Sequence, residues 1–279
     1  MIRLLALLGA ISFSGSPALS DTVLGRNYVV VDGRKDTNRP APLVIAIHGF
    51  LGNASNMQRK TGFDRLAKRH GFIVAYPNGR LRRWNDGRSS RNKTDDVAFL
   101  SAMIAKMVTS GQVRSGRVFV AGHSNGGGMA MRMACDRPDL VRGISVVATK
   151  TSTNYQCRQG PPVPAIFMHG TADPIAPHAG RPEGSRLGGT LSAEATLDLW
   201  KVRNRCTGAP RSRTFDKKND GTSVKVTRHT NCRAALNYVL IDGHGHDWPS
   251  LNGKATRLQG PASNEVGASA LSWAFFSQL

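Results

Sequence analysis

The sequence predicts an α/β fold in which a mostly parallel central sheet carries helices on both faces. Continuous apolar runs, such as 43–47 and 72–76, are typical of strands that are covered on both sides, as in a parallel sheet. Segments with helical spacing alternate with these runs along the chain, and such alternation indicates α/β architecture. In the stretch 118–133 an apolar run passes through a glycine-bounded turn directly into a segment that favours helix.

The individual elements follow from hydrophobic pattern and from the residues that end each run. Strands are expected at 28–31, 43–47, 72–76, 118–121, 143–148, 165–168 and 235–241, with 224–226 as an edge strand. Helices are expected at 55–69, 95–107, directly after 122–126, at 192–203 and at 265–276. Asp95 and Asp96 stand where a carboxylate caps a helix, because it satisfies free backbone N–H groups. No repeat or linker interrupts residues 21–279, which are expected to form a single domain.

The first 20 residues have the pattern of a signal peptide. A basic start at Arg3 precedes an apolar run, 4–13, and a small-residue end, 16–20. Ala18 and Ser20 fit the small-x-small cleavage rule, so we expect removal after Ser20. A membrane anchor is the alternative, but the run is well short of the about 20 residues that a spanning helix needs. The protein is therefore expected to be secreted, to the periplasm or beyond, with no membrane span.

Four cysteines in an exported chain suggest two disulfides, and several pairings are open to them. Proximity in sequence favours Cys135 with Cys157 and Cys206 with Cys232. A zinc site is the rival interpretation, but no C-x-x-C spacing occurs. We expect neither a metal nor a cofactor.

The net charge of +20, from 38 basic and 18 acidic residues, attracts polyanions in general. The basic residues are scattered and concentrate in loops, and no motif of a nucleic-acid-binding module appears. We therefore expect no specific nucleic-acid partner. A solvated basic surface accounts for most of the charge, and a non-catalytic polyanion-binding protein remains the alternative to an enzyme.

Ser124 is the candidate nucleophile. It lies within Gly122-His123-Ser124-Asn125-Gly126, after an apolar strand and before a helical segment. In a G-x-S-x-G elbow the serine occupies a strained strand-to-helix turn, and the small flanking residues leave room for a substrate. An ordinary glycine-rich turn is the alternative. The flanking strand and helix favour the nucleophile.

A serine nucleophile needs a base and an acid that orients the base. In the α/β-hydrolase arrangement these follow the serine as acid and then histidine, each after a strand. Asp173 follows the strand 165–168 and is the expected acid, although a turn aspartate before proline is common. His244 and His246 both follow the strand 235–241, and the spacing leaves the choice of base open.

The developing oxyanion requires N–H donors. We expect one from the backbone of Asn125, directly after the nucleophile, and the second from Phe50 in the loop after strand 43–47. A simple tight turn is the alternative for the His48-Gly49-Phe50 segment. His48, His123 and His169 flank motifs and are expected to orient loops.

With these residues identified, the chain resembles the secreted esterases known as polyhydroxybutyrate depolymerases, a group close to feruloyl and acetylxylan esterases. The resemblance covers nearly the whole mature chain. It rests on IHGFLGNA at 47–54, YPNG at 76–79, Trp84-Asn85, DDVAFL at 95–100, GHSNGGGMA at 122–130, HGTADPIAP at 169–177 and GHGHDWP at 243–249.

The resemblance implies an α/β-hydrolase fold and a cofactor-free serine esterase with Ser124 and Asp173 in the roles argued above. Alignment on Trp248 and Pro249 makes His246 the base. The substrate class would be polyhydroxybutyrate-type oligoesters, or feruloyl or acetyl esters of plant polysaccharide. A peptidase on the same fold is the rival within hydrolases.

The family also implies roles around this core. A Cys206–Cys232 bridge would lie near the active-site rim, and Asp96 would tie a helix start to the Trp84 loop. Trp84 and Trp248 are candidates to line an acyl or sugar subsite, although Trp248 would equally serve to buttress the histidine loop.

Two features depart from the family pattern. Many relatives carry cysteines after Trp-Asn, whereas residues 86–93 here contain none. The loop 80–93 instead holds six basic residues and one acidic residue, and it would select acids or polyanionic chains if it lies beside the cleft. A solvated basic loop is the alternative. We also expect no appended substrate-binding domain after the closing helix, and this expectation favours soluble or polysaccharide-linked esters over crystalline polyester.

Overall fold

The computed structural model describes residues 19–88, 92–155, 157 and 160–279. One ten-stranded sheet runs through the molecule in the order β1-β2-β4-β3-β5-β6-β7-β10-β9-β8. The strands are β1 Leu19–Val23, β2 Arg26–Asp32, β3 Ala41–Ile47, β4 Ile73–Pro77, β5 Val113–His123, β6 Gly143–Val147, β7 Ala165–Gly170, β8 Gly208–Phe215, β9 Ser223–Thr230 and β10 Leu236–Asp242. The helices are α1 Ala54–Thr61, α2 Phe63–His70, α3 Asp96–Thr109, α4 Asn125–Asp136, α5 Ala193–Arg203 and α6 Ala268–Phe276.

The centre of the sheet is parallel and its two edges are antiparallel. Strands β4, β3, β5, β6, β7 and β10 pair in parallel, while β2 with β1, and β9 with β8, add antiparallel ribbons. Parallel neighbours bring their carboxyl ends to one edge of the sheet, where ligands of open α/β sheets bind. The predicted α/β fold with a mostly parallel sheet is confirmed.

Two apolar layers cover the sheet, because successive side chains of a strand point to opposite faces. In β3, Leu43 and Ile45 pack in one cluster with α3, α4 and α5, whereas Val44 and Ala46 pack in the other with α1, α2 and α6. The central strands are therefore buried on both faces, which is why they read as unbroken apolar runs.

The expected helix 55–69 is wrong as a single element. Gly62 has a left-handed backbone (φ 60°) and ends α1 while starting α2. Its amide caps α1 by donating to the Gln58 carbonyl. Both halves keep the same apolar period, so the pattern does not reveal the break.

The polar segment after Cys206 forms more regular structure than its composition suggests. The expected edge strand 224–226 lies inside β9, and β8 pairs outside it to become the actual edge. Strand β8 is largely exposed and has little apolar alternation, so the sequence signal for it is weak. The closing helix α6 starts at Ala268, three residues later than expected.

Strand β1 includes the last two residues assigned to the leader. Leu19 and Ser20 pair with Val30 and Val29 of β2, whereas the rest of the predicted leader, 1–18, lies outside the described residues. Among the described helices, none is both long and apolar enough to cross a bilayer.

Both disulfides favoured by proximity are present, Cys135–Cys157 and Cys206–Cys232. The implied position of the second is wrong. Cys232 precedes β10, so this bridge lies at the amino ends of the parallel strands, and the seven residues of β10 separate it by roughly 20 Å from the carboxyl ends.

Candidate active site

Ser124 lies on a strained turn between β5 and α4. Its backbone has φ 53° and ψ −119°, a region that non-glycine residues rarely adopt and that usually marks a functional constraint. The turn is tight enough to require glycine on both sides. A Cβ on Gly122 would lie 2.1 Å from the Gly126 carbonyl oxygen, and one on Gly126 would lie 2.2 Å from that of Ile47. The G-x-S-x-G spacing thus follows from the packing of α4 onto β3 and β5.

Ser124, His246 and Asp173 form one hydrogen-bonded chain. The Ser124 hydroxyl lies 2.9 Å from Nε2 of His246, and Nδ1 of that histidine lies 2.8 Å from Oδ2 of Asp173. Protonation at Nδ1 leaves Nε2 free to accept from the serine. The three residues follow β5, β10 and β7, whose carboxyl ends meet at one edge of the sheet. In this arrangement a serine can pass its proton to an imidazole that a carboxylate orients.

Asp173 is buried and held in its ionised form. Burial raises its pKa, but hydrogen bonds from His246 and the nearby backbone outweigh that effect and lower the pKa below its usual value. Oδ1 accepts the amides of Ile175 and Ala176 at 2.9 and 2.7 Å. These bonds fix the carboxylate in the turn after β7, so it can orient and stabilise an imidazolium.

The two competing histidines have different surroundings. His244 accepts the Ser263 amide at Nδ1 (2.9 Å) and donates from Nε2 to the Asp247 carbonyl (3.2 Å), so both ring nitrogens serve the loop. His246 faces Ser124, and its carbonyl accepts a bond from Nε2 of His123 at 2.7 Å. Burial lowers the pKa of His123 well below its usual value, so it remains a neutral donor that supports the loop.

The expected oxyanion donors lie beside the serine. Asn125 is the first residue of α4, where backbone N–H groups have no intrahelical acceptor. Phe50 follows β3, lines the same cavity as Ser124 and is 55% exposed. The amides of Leu51 and Gly52 are used within the turn region, by the carbonyls of Arg82 and Gly49. Phe50 and Asn125 thus line the same cavity as Ser124, and their role as oxyanion donors stays a prediction.

A cavity of about 750 Å³ opens beside Ser124 and takes one wall from the basic loop 80–93. Trp84 lies in this wall, but its side chain is buried (2% exposed) and stacks on Phe99, which corrects its expected role as a subsite residue. Its indole N–H donates to the His48 carbonyl at 3.0 Å. The side-chain amide of Asn125 exchanges hydrogen bonds with the Trp84 backbone at 2.8 and 3.0 Å. The loop therefore lies beside the cleft. Lys93 of the same loop is exposed, and Arg91 lies outside the described residues.

Trp248 is not a subsite residue, which corrects one of the two interpretations of it. Its side chain is buried in the core under the histidine loop and contacts Phe63 and His123. The indole N–H donates to Ser269 at 3.0 Å, so the polar edge is satisfied inside the protein. It buttresses the loop that carries His246.

Comparison with known proteins identifies the type of enzyme. The family described as Esterase PHB depolymerase matches residues 35–155. NocK of Nocardia uniformis subsp. tsuyamanensis, which is named as an esterase, is 29% identical over 263 residues, covering 83% of this chain and 76% of NocK. Feruloyl esterase B of Piromyces equi is 26% identical over 222 residues, covering 75% of this chain and 40% of that protein.

The structure of an acetyl xylan esterase from Aspergillus awamori matches with a TM-score of 0.61 at 18% identity, covering 83% of this chain and 94% of that one. At this identity the match shows the fold alone. The chain is an α/β-hydrolase esterase. The resemblance drawn from the sequence motifs is confirmed, and a non-catalytic binding protein is no longer the alternative.

Two groups around the esterase site were missed by sequence reasoning. Lys150 is buried, and its ammonium donates to the carbonyls of Ala176 and Pro177 at 2.9 and 2.7 Å, directly under the Asp173 turn. Burial lowers the pKa of Lys150 to about 8. A buried lysine next to a strand end carries no pattern of its own, because its partners are carbonyls distant in sequence.

Arg181 and the segment 184–189 line the same cavity as the basic loop. Arg181 follows the acid turn and donates from Nη1 to the Ile175 carbonyl at 3.0 Å. The glycine-rich composition of residues 180–189 predicts a loop, but the sequence does not show that this loop folds back over the cleft.

The implied role of Asp96 agrees with the structure of the esterase. Its carboxylate is fully buried and accepts from the Asn85 amide at 2.6 Å and from Arg26 at 2.7 Å. Asp95 instead caps α3 by accepting from Ala98 at 2.9 Å. Asp96 therefore links the start of α3 to the loop that contains Trp84.

Proposed function

We propose that the esterase works through an acyl-enzyme on Ser124, with His246 as general base and Asp173 as the orienting acid. The observation that supports this most strongly is the chain of hydrogen bonds from the Ser124 hydroxyl through His246 to the buried Asp173 carboxylate. The strained backbone of Ser124 adds support, because strain of this kind concentrates at catalytic residues.

In this mechanism Oγ of Ser124 attacks the ester carbonyl carbon while its proton passes to Nε2 of His246. The tetrahedral oxyanion accepts hydrogen bonds from the amides of Phe50 and Asn125. The C–O bond to the alcohol then breaks, and His246 returns the proton to the leaving alkoxide. A water molecule then gives a proton to Nε2 of His246 and attacks the acyl carbon. The bond from this carbon to Oγ of Ser124 breaks, and His246 returns the proton to Oγ, which releases the acid and free Ser124.

The substrates we propose are polyhydroxybutyrate-type oligoesters, or feruloyl or acetyl esters of plant polysaccharide. The match to the PHB depolymerase family and to feruloyl esterase B supports this range, and it disfavours a peptidase. Products released side by side from amorphous polyhydroxybutyrate, feruloylated arabinoxylan and acetylated xylan would rank the three. Release of peptides from a protein substrate, with none of these esters cleaved, would contradict the proposal.

A fluorophosphonate probe tests the activated serine directly. We expect the wild-type protein to be labelled at Ser124 and to lose hydrolysis of a short p-nitrophenyl ester in proportion to labelling. Ser124→Ala should be unlabelled and at least about a thousandfold slower. Its far-UV circular dichroism and melting temperature should match the wild type, as the control for folding. Labelling at another serine, or no labelling of an active enzyme, would contradict the assignment.

We propose also that the esterase is exported and cut after Ser20. The two disulfides support export, since such bonds persist in oxidising compartments. The cut would retain Asp21, whose carboxylate accepts bonds from Tyr28 and Lys106 at 2.7 and 2.6 Å. Intact mass of the protein recovered outside the cytoplasm should correspond to a chain that starts at Asp21. A full-length mass would overturn this proposal.

A further inference from the structure

The walls of the cavity beside Ser124 are strongly basic. Among the described residues, four arginines and one aspartate line it: Arg83, Arg88, Arg181, Arg186 and Asp86. Arg83 and Arg186 are exposed at the mouth, whereas Arg88 and Arg181 are half-buried. A guanidinium that has lost part of its hydration interacts more strongly with an anion than one surrounded by water. The two inner arginines are therefore the positions at which a charged part of a ligand would be held.

Arg181 has no carboxylate partner among the described residues. Its backbone pairs with Thr190 through two bonds of 2.9 Å, and Nη1 donates to the Ile175 carbonyl at 3.0 Å. Nε is buried and lacks an acceptor within the part of the chain that the structure describes. Burial lowers the pKa of Arg181, and the nearby charge of Arg88 lowers it further. Arg181 is thus a rigidly held cation without a direct counter-ion.

The counter-ion of Arg88 is the Asp86 carboxylate, which also accepts a hydrogen bond from Asn125, the residue after Ser124. Nη2 of Arg88 lies 2.6 Å from Oδ2 of Asp86, and the same oxygen accepts from the side-chain amide of Asn125 at 2.9 Å. The loop that follows Arg181 packs directly on Arg88, because a Cβ on Gly188 would lie 3.3 Å from the Arg88 Cβ. The carboxylates that act on the two inner arginines are Asp86, already bonded to Asn125, and Asp173, already bonded to His246. The buried Lys150 ammonium lies near the same groups, so the inner cavity keeps a positive charge.

We propose that Arg88 and Arg181 bind a carboxylate carried by the substrate, so that the enzyme prefers anionic esters to neutral esters of the same size. The inference rests on the proposed function, because it requires Ser124 to cleave an ester bound in this cavity. Guanidinium groups match carboxylates in geometry and form charge-assisted pairs. Both arginines lie close to the reacting groups, since Arg88 is linked through Asp86 to Asn125, and Arg181 binds the turn of Asp173.

A purely structural role for Arg181 makes a different prediction. Its bond to the Ile175 carbonyl supports the Asp173 turn, so its loss would slow hydrolysis of every ester alike. Binding of a substrate carboxylate affects anionic esters only. The ratio of kcat/KM between an anionic ester and its neutral counterpart cancels the structural contribution and isolates the charge contact.

Two matched pairs of esters measure this ratio and locate the carboxylate. For the acyl side, the pair is the p-nitrophenyl monoester of adipate and the same ester with the free carboxylate converted to an amide. For the alcohol side, the pair is the butanoyl ester of p-hydroxybenzoate and that of p-hydroxybenzamide. We expect the anionic member of one pair to be preferred at least about tenfold, mainly through a lower KM.

Three variants connect the preference to the two inner arginines. Arg181→Gln should reduce the ratio about tenfold, and Arg88→Gln should reduce it in the same direction, whereas Arg181→Lys should restore part of it by keeping the charge. Arg186→Gln removes a charge from the exposed mouth and should change the ratio much less. Arg114→Gln, at the exposed start of β5 and remote from the cavity, is the control for net charge and should leave the ratio unchanged.

The outcomes separate the two proposals. If neutral esters are cleaved but neither anionic ester is preferred, the carboxylate site is wrong and the serine esterase mechanism stands. Equal effects of Arg186→Gln and Arg181→Gln would also overturn the site, because they would indicate a general field rather than a specific contact. If none of the four esters is hydrolysed, both proposals fall.

Discussion

At the scale of single residues, the loop after β10 assigns different work to two histidines separated by one glycine. His246 presents Nε2 to Ser124, while its backbone is fixed by bonds between its amide and the Gln259 carbonyl (2.6 Å) and between its carbonyl and His123 (2.7 Å). His244 points into the loop and holds the Ser263 amide. The direction in which each side chain points, and not the residue type, distinguishes the proposed base His246 from His244.

Replacement of each histidine by alanine should separate these roles. We expect His246→Ala to lower kcat for a p-nitrophenyl ester at least about a thousandfold with little change in folding, because the serine loses its proton acceptor. His244→Ala should lower kcat less than about tenfold but reduce the free energy of unfolding by roughly 1–3 kcal/mol, because buried partners lose their hydrogen bonds. Steady-state kinetics and urea unfolding measure both effects. A larger loss of kcat in His244→Ala would contradict the choice of base.

At the scale of elements, the start of α4 is as close to β3 as the backbone permits. Gly126 faces the carbonyls of Ile47 and His48, the residues that lead into the Phe50 turn. This contact between α4 and the end of β3 thus positions both proposed oxyanion donors, because Asn125 begins α4 and Phe50 follows β3. A side chain at this point would separate them.

Gly126→Ala tests this contact. The added Cβ would lie 2.2 and 2.5 Å from two carbonyl oxygens, so α4 must shift away from β3. We expect a loss of about 1–3 kcal/mol in the free energy of unfolding and a fall in kcat of at least about tenfold.

Gly267→Ala is the matched control for Gly126→Ala, since its Cβ would meet nothing closer than Ala270 at 4.0 Å. It should change the free energy of unfolding by less than about 0.5 kcal/mol. Urea unfolding of the two variants in parallel gives the comparison. Equal stability would show that the elbow tolerates a side chain.

At the scale of the whole molecule, one disulfide lies far from the proposed active site and the other lies beside its cavity wall. Cys206–Cys232 connects the end of α5 to the segment before β10, away from the catalytic edge. Cys135–Cys157 lines a small pocket that also contacts Asp86 and Arg88. Their contributions to stability should be similar, because they close loops of similar length, with separations of 22 and 26 residues.

Serine replacement of each pair separates stability from activity. The double change Cys206→Ser with Cys232→Ser should reduce the free energy of unfolding by about 3 kcal/mol while leaving kcat/KM within about twofold. Cys135→Ser with Cys157→Ser should cost a similar amount and also reduce kcat/KM, because it loosens the wall that carries Arg88. Denaturant unfolding and ester kinetics provide the two readings. A loss of activity in the first pair alone would contradict this division.

The sequence alone determined the parts of this protein that local pattern specifies. Unbroken apolar runs predicted the central strands, because burial on both faces leaves no polar position in them. The tight turn at Ser124 demanded small neighbours, so the elbow was visible in five residues. Asp173 and the two histidines were found because they follow strands in the required order, and family resemblance then favoured His246 over His244.

Tertiary structure alone decided what depends on contacts between distant segments. Tertiary packing divides the expected helix 55–69 at Gly62 and buries Trp248 under the histidine loop. It also places the Cys206–Cys232 bridge at the amino ends of the parallel strands. It also brought Arg181 to the cavity that Arg88 lines, although 93 residues of the chain separate them. No local sequence pattern predicts that Arg88 and Arg181 line one cavity, because this arrangement results from the crossover connections and the order of strands in the sheet.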